Sequence, residues 1–377
     1  MSGKNRSRPP IGLPNIHAFR MQRHHLLDRG SATLTQVSRD VCGIQAQVMA
    51  AAEMALWARM NGLARAEISS ALWEKRTLVK TSLMRQTLHL IPAEDFSLFI
   101  TALRRSRVEA VLRVMAKFHI PREEAFAINE IVVAALRDGR MTQGELRERI
   151  KPKVSRRVRA WMERVWSALR IPLAEGLICY GPVRGQGVTY VRADRWLPKQ
   201  KAFEENEAKR VLLRRYLRAY GPARLTDFCK WSGISVKEAT PVWRSLEDEL
   251  TGVSFGDSSG FILRDDEGAL AKCDAGERVL RLLPSFDPLL LGHAEKDHLV
   301  DAAHYKRVYR NQWWISPVVL LDGRVVGIWA HKRQGGGLTL EVELFTKLAR
   351  ALRKGIEEEA ARLGDFLEAP CRINRIH

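Results

Sequence analysis

Leu78-Val79-Lys80-Thr81-Ser82-Leu83-Met84, Arg85-Gln86, then Thr87-Leu88-His89-Leu90-Ile91-Pro92 is the stretch on which the reading of the fold turns. Two runs rich in β-formers flank a short polar tip, so they read as antiparallel strands. Pro92 closes the second because it has no N–H to continue a ladder. Upstream, apolar residues recur at helical spacing over residues 16–27, 34–41, 45–60 and about 66–75. Helices followed by a β hairpin make a winged helix, in which the third helix is offered to a DNA groove and the hairpin lies beside it.

The same order recurs twice. Residues 123–137 read as a helix ending at Asp138-Gly139, and Thr142 and Glu145 have the spacing of a capping box, a hydroxyl and a carboxylate that satisfy free amides at the start of the next helix. A long helix over 156–175 follows, then strands at 177–180 and 188–192 around the Gly-rich tip 181–187. The third copy has helices at 204–220, 224–231 and 236–249, the first stopped by Gly221-Pro222, and strands near 252–255 and 261–264. After residue 275 the pattern turns to strands at 278–283, 314–321, 324–331 and 338–343, with Asp322-Gly323 as a tight turn. A last helix over 345–363 carries Glu357, Glu358 and Glu359, read as a solvated acidic face. The expected fold is mixed α/β, mainly α. It has a winged helix over 1–120, a second over 121–200, a third over 201–270, and a β-barrel with a C-terminal helix over 271–377.

Composition narrows the partners. The 377 residues contain 62 Lys and Arg against 43 Asp and Glu, a formal charge of +19. With 46% hydrophobic residues the chain is of ordinary globular composition, neither disordered nor fibrous. Its most apolar stretch, 318–329, is interrupted by Asp322, Gly323 and Arg324, too short to span a membrane. Lys4, Arg6 and Arg8 are followed by Pro9, Pro10 and Pro14 rather than an apolar core, so no secretory signal is read and a cytoplasmic location is expected. The five cysteines lie far apart and read as reduced thiols. His293, His298 and His304 lack the spacing of metal ligands, so no metal or other cofactor is expected. Basic residues cluster at 151–170, where seven face only Glu163, and at Arg104, Arg105, Arg107 and Arg113. Such clusters either solubilise a helix or neutralise phosphates. With three winged helices beside them, nucleic acid is the expected partner.

The segment Gly43-Ile44-Gln45-Ala46-Gln47, with Ala51, Ala52, Ala55, Leu56 and Arg59 behind it, resembles the AlkZ-like family of bacterial DNA glycosylases, whose signature is a Gln, an aliphatic residue and a Gln or Asp at the base of the DNA cleft. Residues 84–92 resemble that family's Arg-Gly-Thr-Leu-His strand. Leu282-Leu283-Pro284-Ser285-Phe286-Asp287-Pro288 with Leu291-Gly292 resembles its entry to the barrel, and 314–319 with 322–327 its barrel hairpin. Gln86 stands where the family has Gly, and Leu289 where it often has an aromatic. The resemblance spans about residues 40–330. It implies a monomeric, concave enzyme that removes N7-alkylated purines from double-stranded DNA, in some relatives unhooking interstrand crosslinks.

An N7-alkylated purine is cationic and leaves readily, so the catalyst need not protonate it. The amides of Gln45 and Gln47 could orient water toward C1′ and lend partial negative charge to the developing cation. Two residues apart inside an α-helix means about 200° of rotation, so a shared role puts them at the helix start, with Gly43 breaking the preceding helix. The alternative is that both are helix-start residues without catalytic work and that the chain is a non-catalytic winged-helix regulator or damage sensor. Lys80 and Arg85 near the wing are expected at phosphates, with Arg104, Arg105, Arg156, Arg157 and Arg310. His89 reads either as a DNA contact or as a hydrogen-bonded structural histidine, and Asp287 as a water-positioning carboxylate or a turn residue. Trp313 and Trp314 suggest a stacking surface, although neighbours on a strand face opposite sides and one of them reads as core.

Overall fold

The computed structural model describes residues 11–165, 169–273, 278–347 and 349–376. The basic residues Lys4, Arg6 and Arg8 with Pro9 and Pro10, and positions 166–168 of the helix read over 156–175, lie outside the described residues.

The first helix-and-hairpin unit contains α1 (Leu13–Arg23), α2 (Leu34–Asp40), β1 (Ile44–Gln45), α3 (Met49–Trp57), α4 (Arg65–Trp73), β2 (Leu78–Ser82) and β3 (Leu88–Pro92). Its sheet has the order β1-β3-β2, all antiparallel. The helix expected from Gln45 is corrected here: Gln45 lies on a strand, Gln47 in a bend, and α3 begins only at Met49. Gly43 is the cause. It takes the left-handed φ of 93°, and a Cβ there would approach the Ile91 side chain to 2.9 Å. The chain then leaves α2 extended, where Ile44 and Gln45 pair with Leu90 and His89.

Then come α5 (Phe96–Ala116), α6 (Arg122–Ala135), β4 (Met141–Thr142), α7 (Gln143–Ile150), α8 (Arg156–Val165), α9 (Arg170–Ala174), β5 (Ile178–Arg184) and β6 (Gly187–Arg192). The capping box at α7 is present, with the Thr142 hydroxyl accepting from the Glu145 amide and the Glu145 carboxylate from the Thr142 amide. After α10 (Ala193–Trp196), α11 (Glu205–Tyr220), α12 (Leu225–Ser232) and α13 (Val236–Arg244) lead into the hairpin β7 (Leu250–Phe255) and β8 (Ser258–Leu263), followed by α14 (Glu267–Lys272).

The C-terminal part is β9 (Leu280–Leu283), α15 (Pro288–Leu291), α16 (Tyr305–Val308), β10 (Val318–Leu321), β11 (Arg324–Gln334), β12 (Gly337–Leu344), α17 (Arg350–Phe366) and β13 (Cys371–Ile376). The expected barrel is corrected: among the described residues these strands form an open five-stranded sheet in the order β13-β12-β11-β10-β9. β13 runs parallel to β12, returning over α17, so the sheet ends in an added edge instead of closing on β9. The acidic face of the last helix is also corrected in part. Glu357 and Glu358 are exposed, but Glu359 is buried, receives both guanidinium arms of Arg29 at 2.7 and 2.6 Å, and accepts from the Leu282 amide.

The apolar cores do not follow chain order. One core joins Met21 to Leu90 of the first unit with β9–β12 and α17. A second unites the wing of that unit with α5 and α11–α13, and a third holds α6–α9 against α5. Among the described residues no helix is long and apolar enough to cross a membrane.

Candidate nucleic-acid interface

Strand β3 is central in the first sheet, so whatever sits on β1 is held against the wing. The Ala46 amide donates to the Leu88 carbonyl at 2.6 Å, which fixes the Gln45–Gln47 backbone along the wing strand. The Gln45 side chain is buried, and its Oε1 accepts from Arg85 Nη2 at 3.1 Å, with Thr87 Oγ1 at 3.5 Å. The single hydroxyl proton of Thr87 has a nearer acceptor in the Met84 carbonyl at 3.1 Å, so one lone pair of the Gln45 oxygen stays open. Gln47 is exposed, and its Oε1 accepts from the Leu88 amide at 3.4 Å. Both carboxamides therefore meet the same segment, 85–88. A strand residue followed by a bend achieves what the interior of a helix forbids, bringing both side chains to one segment.

Arg85 links this pair to the third unit by donating to the Trp231 carbonyl at the end of α12. Gly233, left-handed at φ 84°, lets α12 end there, since a Cβ would come within 3.3 Å of the Arg85 amide nitrogen. Arg85 and Gln86 are themselves left-handed, at φ 53° and 61°. Gln86 thus occupies a conformation that suits the Gly of the resembled family, and the wing keeps its turn at a cost in strain. Replacing Gln86 by Gly is expected to raise stability by about 1 kcal/mol with the hairpin unchanged, read as a higher melting temperature. A lower melting temperature would contradict the strain assignment.

The remaining expected residues divide. Lys80 is half-buried on β2, its Nζ 4.0 Å from Met49 Sδ and 5.8 Å from the centre of the Tyr180 ring, and burial lowers its pKa. His89 is buried opposite Gln45, with Nδ1 3.0 Å from the Thr87 carbonyl. Burial, then Arg85, lowers its pKa to about 3, which disfavours the charged form. Arg104 and Arg105 are exposed on α5 and Arg156 and Arg157 at the start of α8, away from the glutamines in sequence and sheet. Arg104 approaches Glu175 at 3.7 Å, and Arg157 donates to the His119 carbonyl. Arg310 is exposed at the base of a turn that carries Trp313.

That turn is a further correction to the sequence reading. Asn311–Trp313 is a 3-10 turn with Gln312 and Trp313 at φ 59° and 63°, so the two tryptophans do not alternate as on a strand and neither is core. Trp313 is 87% exposed with Lys230 Nζ 5.8 Å from its ring centre, while Trp314 meets Phe286 edge-on at 5.0 Å.

Asp287 is settled by its partners. It is fully buried, accepts both arms of Arg59 at 2.7 and 2.8 Å, and caps α15 through the Leu289 amide. It is thus a turn residue that also holds Arg59. His293 and His298 lie ring to ring at 4.6 Å while His304 stacks on Phe345, and among the described residues no group of three or more His, Cys, Asp or Glu is placed to hold a metal ion.

Lys296 is a buried lysine that no expectation named. Its amine is buried, donates to the His293 carbonyl and lies 5.5 Å from the centre of the Tyr309 ring. Burial first, then Arg85, lowers its pKa to about 7. A lone lysine in a loop carries no sequence signal of that.

The family model described as "DNA glycosylase AlkZ-like" matches residues 38–366. An "Interstrand DNA cross-link repair glycosylase" of Streptomyces sahachiroi is 31% identical over 95% of this chain and 98% of its own. The solved structure of Streptomyces sahachiroi DNA glycosylase AlkZ superposes with a TM-score of 0.85 at 27% identity, covering 97% of this chain and all of that one.

Proposed function

The chain belongs to the AlkZ-like DNA glycosylases, and from that premise we propose that it hydrolyses the N-glycosidic bond of N7-alkylated purines in double-stranded DNA, bulky adducts and interstrand crosslinks among them. The observation that carries the proposal is the meeting of two uncharged carboxamides, Gln45 and Gln47, on one wing segment. A neutral pair suits a leaving group that is already cationic. Water held by the open oxygen of Gln45 and by Gln47 would be aimed at C1′, and the carboxamide dipoles would favour the oxocarbenium-like state as the base departs. Arg85 donates to the Gln45 oxygen, fixing which way the carboxamide points.

In this reading the three helix-and-hairpin units over 1–120, 121–200 and 201–270 are winged helices, backed by the sheet and helix of 271–377. The enzyme acts as a monomer without a resident cofactor, in the cytoplasm at the nucleoid. The relative's printed function in crosslink repair supports the substrate class. Incubation with a duplex containing N7-methylguanine, followed by alkali, tests it. Strand cleavage at the lesion is expected, and intact strands from protein that still binds the duplex would overturn it.

Binding itself should rest on phosphates. With a formal charge of +19, affinity for undamaged duplex is expected to be independent of sequence and to fall by about a thousandfold or more between roughly 50 and 200 mM salt. A flat titration would count against the basic patches as the source of affinity.

A further inference from the structure

A cavity of about 310 Å³ opens beside the wing tip, on Arg85. Three guanidiniums line it: Arg85 from the wing, Arg107 from α5 and Arg170 from the start of α9. Ser82 of β2 adds a hydroxyl, and Leu173 and Ala174 close one side. No carboxylate is among the lining residues. Arg85 and Arg107 form no ion pair with a carboxylate among the described residues, and their hydrogen bonds go to neutral oxygens: Trp231 carbonyl and Gln45 carboxamide for Arg85, and Leu173 and Ala174 carbonyls for Arg107, at 2.9 and 3.4 Å.

Arg107 is the informative member. It is 5% exposed, and its Nε has no partner at all. A guanidinium stripped of water without an acid at hand is costly, and such a group persists where an anion completes it. The same strain shows in its acidity, since burial lowers its pKa to about 9 against the weaker pull of Glu175. Guanidinium donors are planar and rigid, so three of them around one space match the tetrahedral oxygens of a phosphate.

We propose that this cavity binds one backbone phosphate of the DNA strand whose deoxyribose lies at Gln45, with Arg85 shared between the phosphate and the Gln45 carboxamide. The assignment rests on the glycosylase reading above and adds a positioning device to it. Arg85 reports the seating of the strand to the residue that holds the water, so a phosphate in the cavity fixes both the sugar and the amide. Arg107 and Arg170 act through that phosphate and are positioning residues.

Duplexes carrying N7-methylguanine and a single neutral methylphosphonate, moved one position at a time along the lesion strand, test this. Wild-type protein should lose roughly ten- to a hundredfold in excision efficiency at one position near the lesion, the size of one charge-assisted contact. Arg170→Ala removes an exposed side chain, and Arg107→Met a buried one. Either variant, where it folds by melting temperature, should show that loss on ordinary DNA and little further penalty from the methylphosphonate at that position, while penalties elsewhere persist. Wild-type rates in Arg170→Ala with the whole penalty profile retained would overturn the assignment. So would a penalty reduced equally at every position, which marks a general charge effect. Inorganic phosphate, compared with chloride at equal ionic strength, separates the source: competition by phosphate without any position-specific DNA penalty would make the cavity a free-anion site and sink the DNA assignment. The scan is read by duplex affinity as well as by excision, so a wild-type protein that excises nothing overturns the proposed function while the affinity profile still decides the cavity.

Discussion

Gln45→Ala is expected to slow single-turnover excision of N7-methylguanine by about 10² to 10³, and Gln47→Ala comparably, with duplex affinity nearly unchanged. Neither side chain is charged, so phosphate binding survives their loss. The two differ in a way that sharpens the test. Gln45 is buried and receives Arg85, so its truncation also leaves one guanidinium arm without its acceptor and should lower the melting temperature. Gln47 is exposed, and its truncation should leave stability within about 0.5 kcal/mol. A folded Gln45→Ala, Gln47→Ala double mutant with full excision would remove both from the chemistry while leaving the protein a glycosylase.

The second large effect is on stability. Arg59 and Asp287 are both fully buried, 228 residues apart in sequence, and joined by two hydrogen bonds. Arg59 also donates to the Ala55 carbonyl, and Asp287 holds the Leu289 amide. Removing one partner leaves the other charge buried and alone, a loss of about 3 to 5 kcal/mol. Asp287→Asn or Arg59→Met should therefore unfold at markedly lower denaturant than wild type. The Arg59→Met, Asp287→Leu double mutant should regain a substantial part of the loss, since no orphan charge remains. Two single mutants within about 1 kcal/mol of wild type would show that the pair is not a structural tie.

These two sites mark where the sequence could be read and where it could not. The hairpins were legible because alternation and turn residues are local: the wing runs 78–82 and 88–92, and Asp322-Gly323 turns between β10 and β11. The start of α3 was not. Residues 45–48 contain no Pro or Gly, so helical periodicity runs through them unbroken, and only the distant strand β3, by pairing with Ile44 and Gln45, delays the helix to Met49. Likewise Glu357, Glu358 and Glu359 look alike in sequence, and only Arg29, 330 residues away, distinguishes the last. β13 was missed because its arginines and asparagine hide the alternation of Cys371 and Ile373. The expected barrel followed from that omission. The family motif brought out Gln45, Gln47 and Arg59 together, whereas Arg107 and Lys296 gain meaning only from burial and Arg170 only from the cavity it lines.

The core that joins Met21–Leu90 to β9–β12 and α17 has a consequence for synthesis. A ribosome releases the glutamine segment early, yet the apolar bed beneath α3 and the partner of Arg59 emerge only when residues beyond 280 are made. The nascent protein cannot complete its first unit alone, and Arg59 waits in solvent for Asp287. A message broken after the third unit would then yield a chain for proteolysis rather than a shortened enzyme with loose activity on DNA. The Gln45–Gln47 segment meets its partners at 85–88 early, whereas the bed beneath α3 comes last.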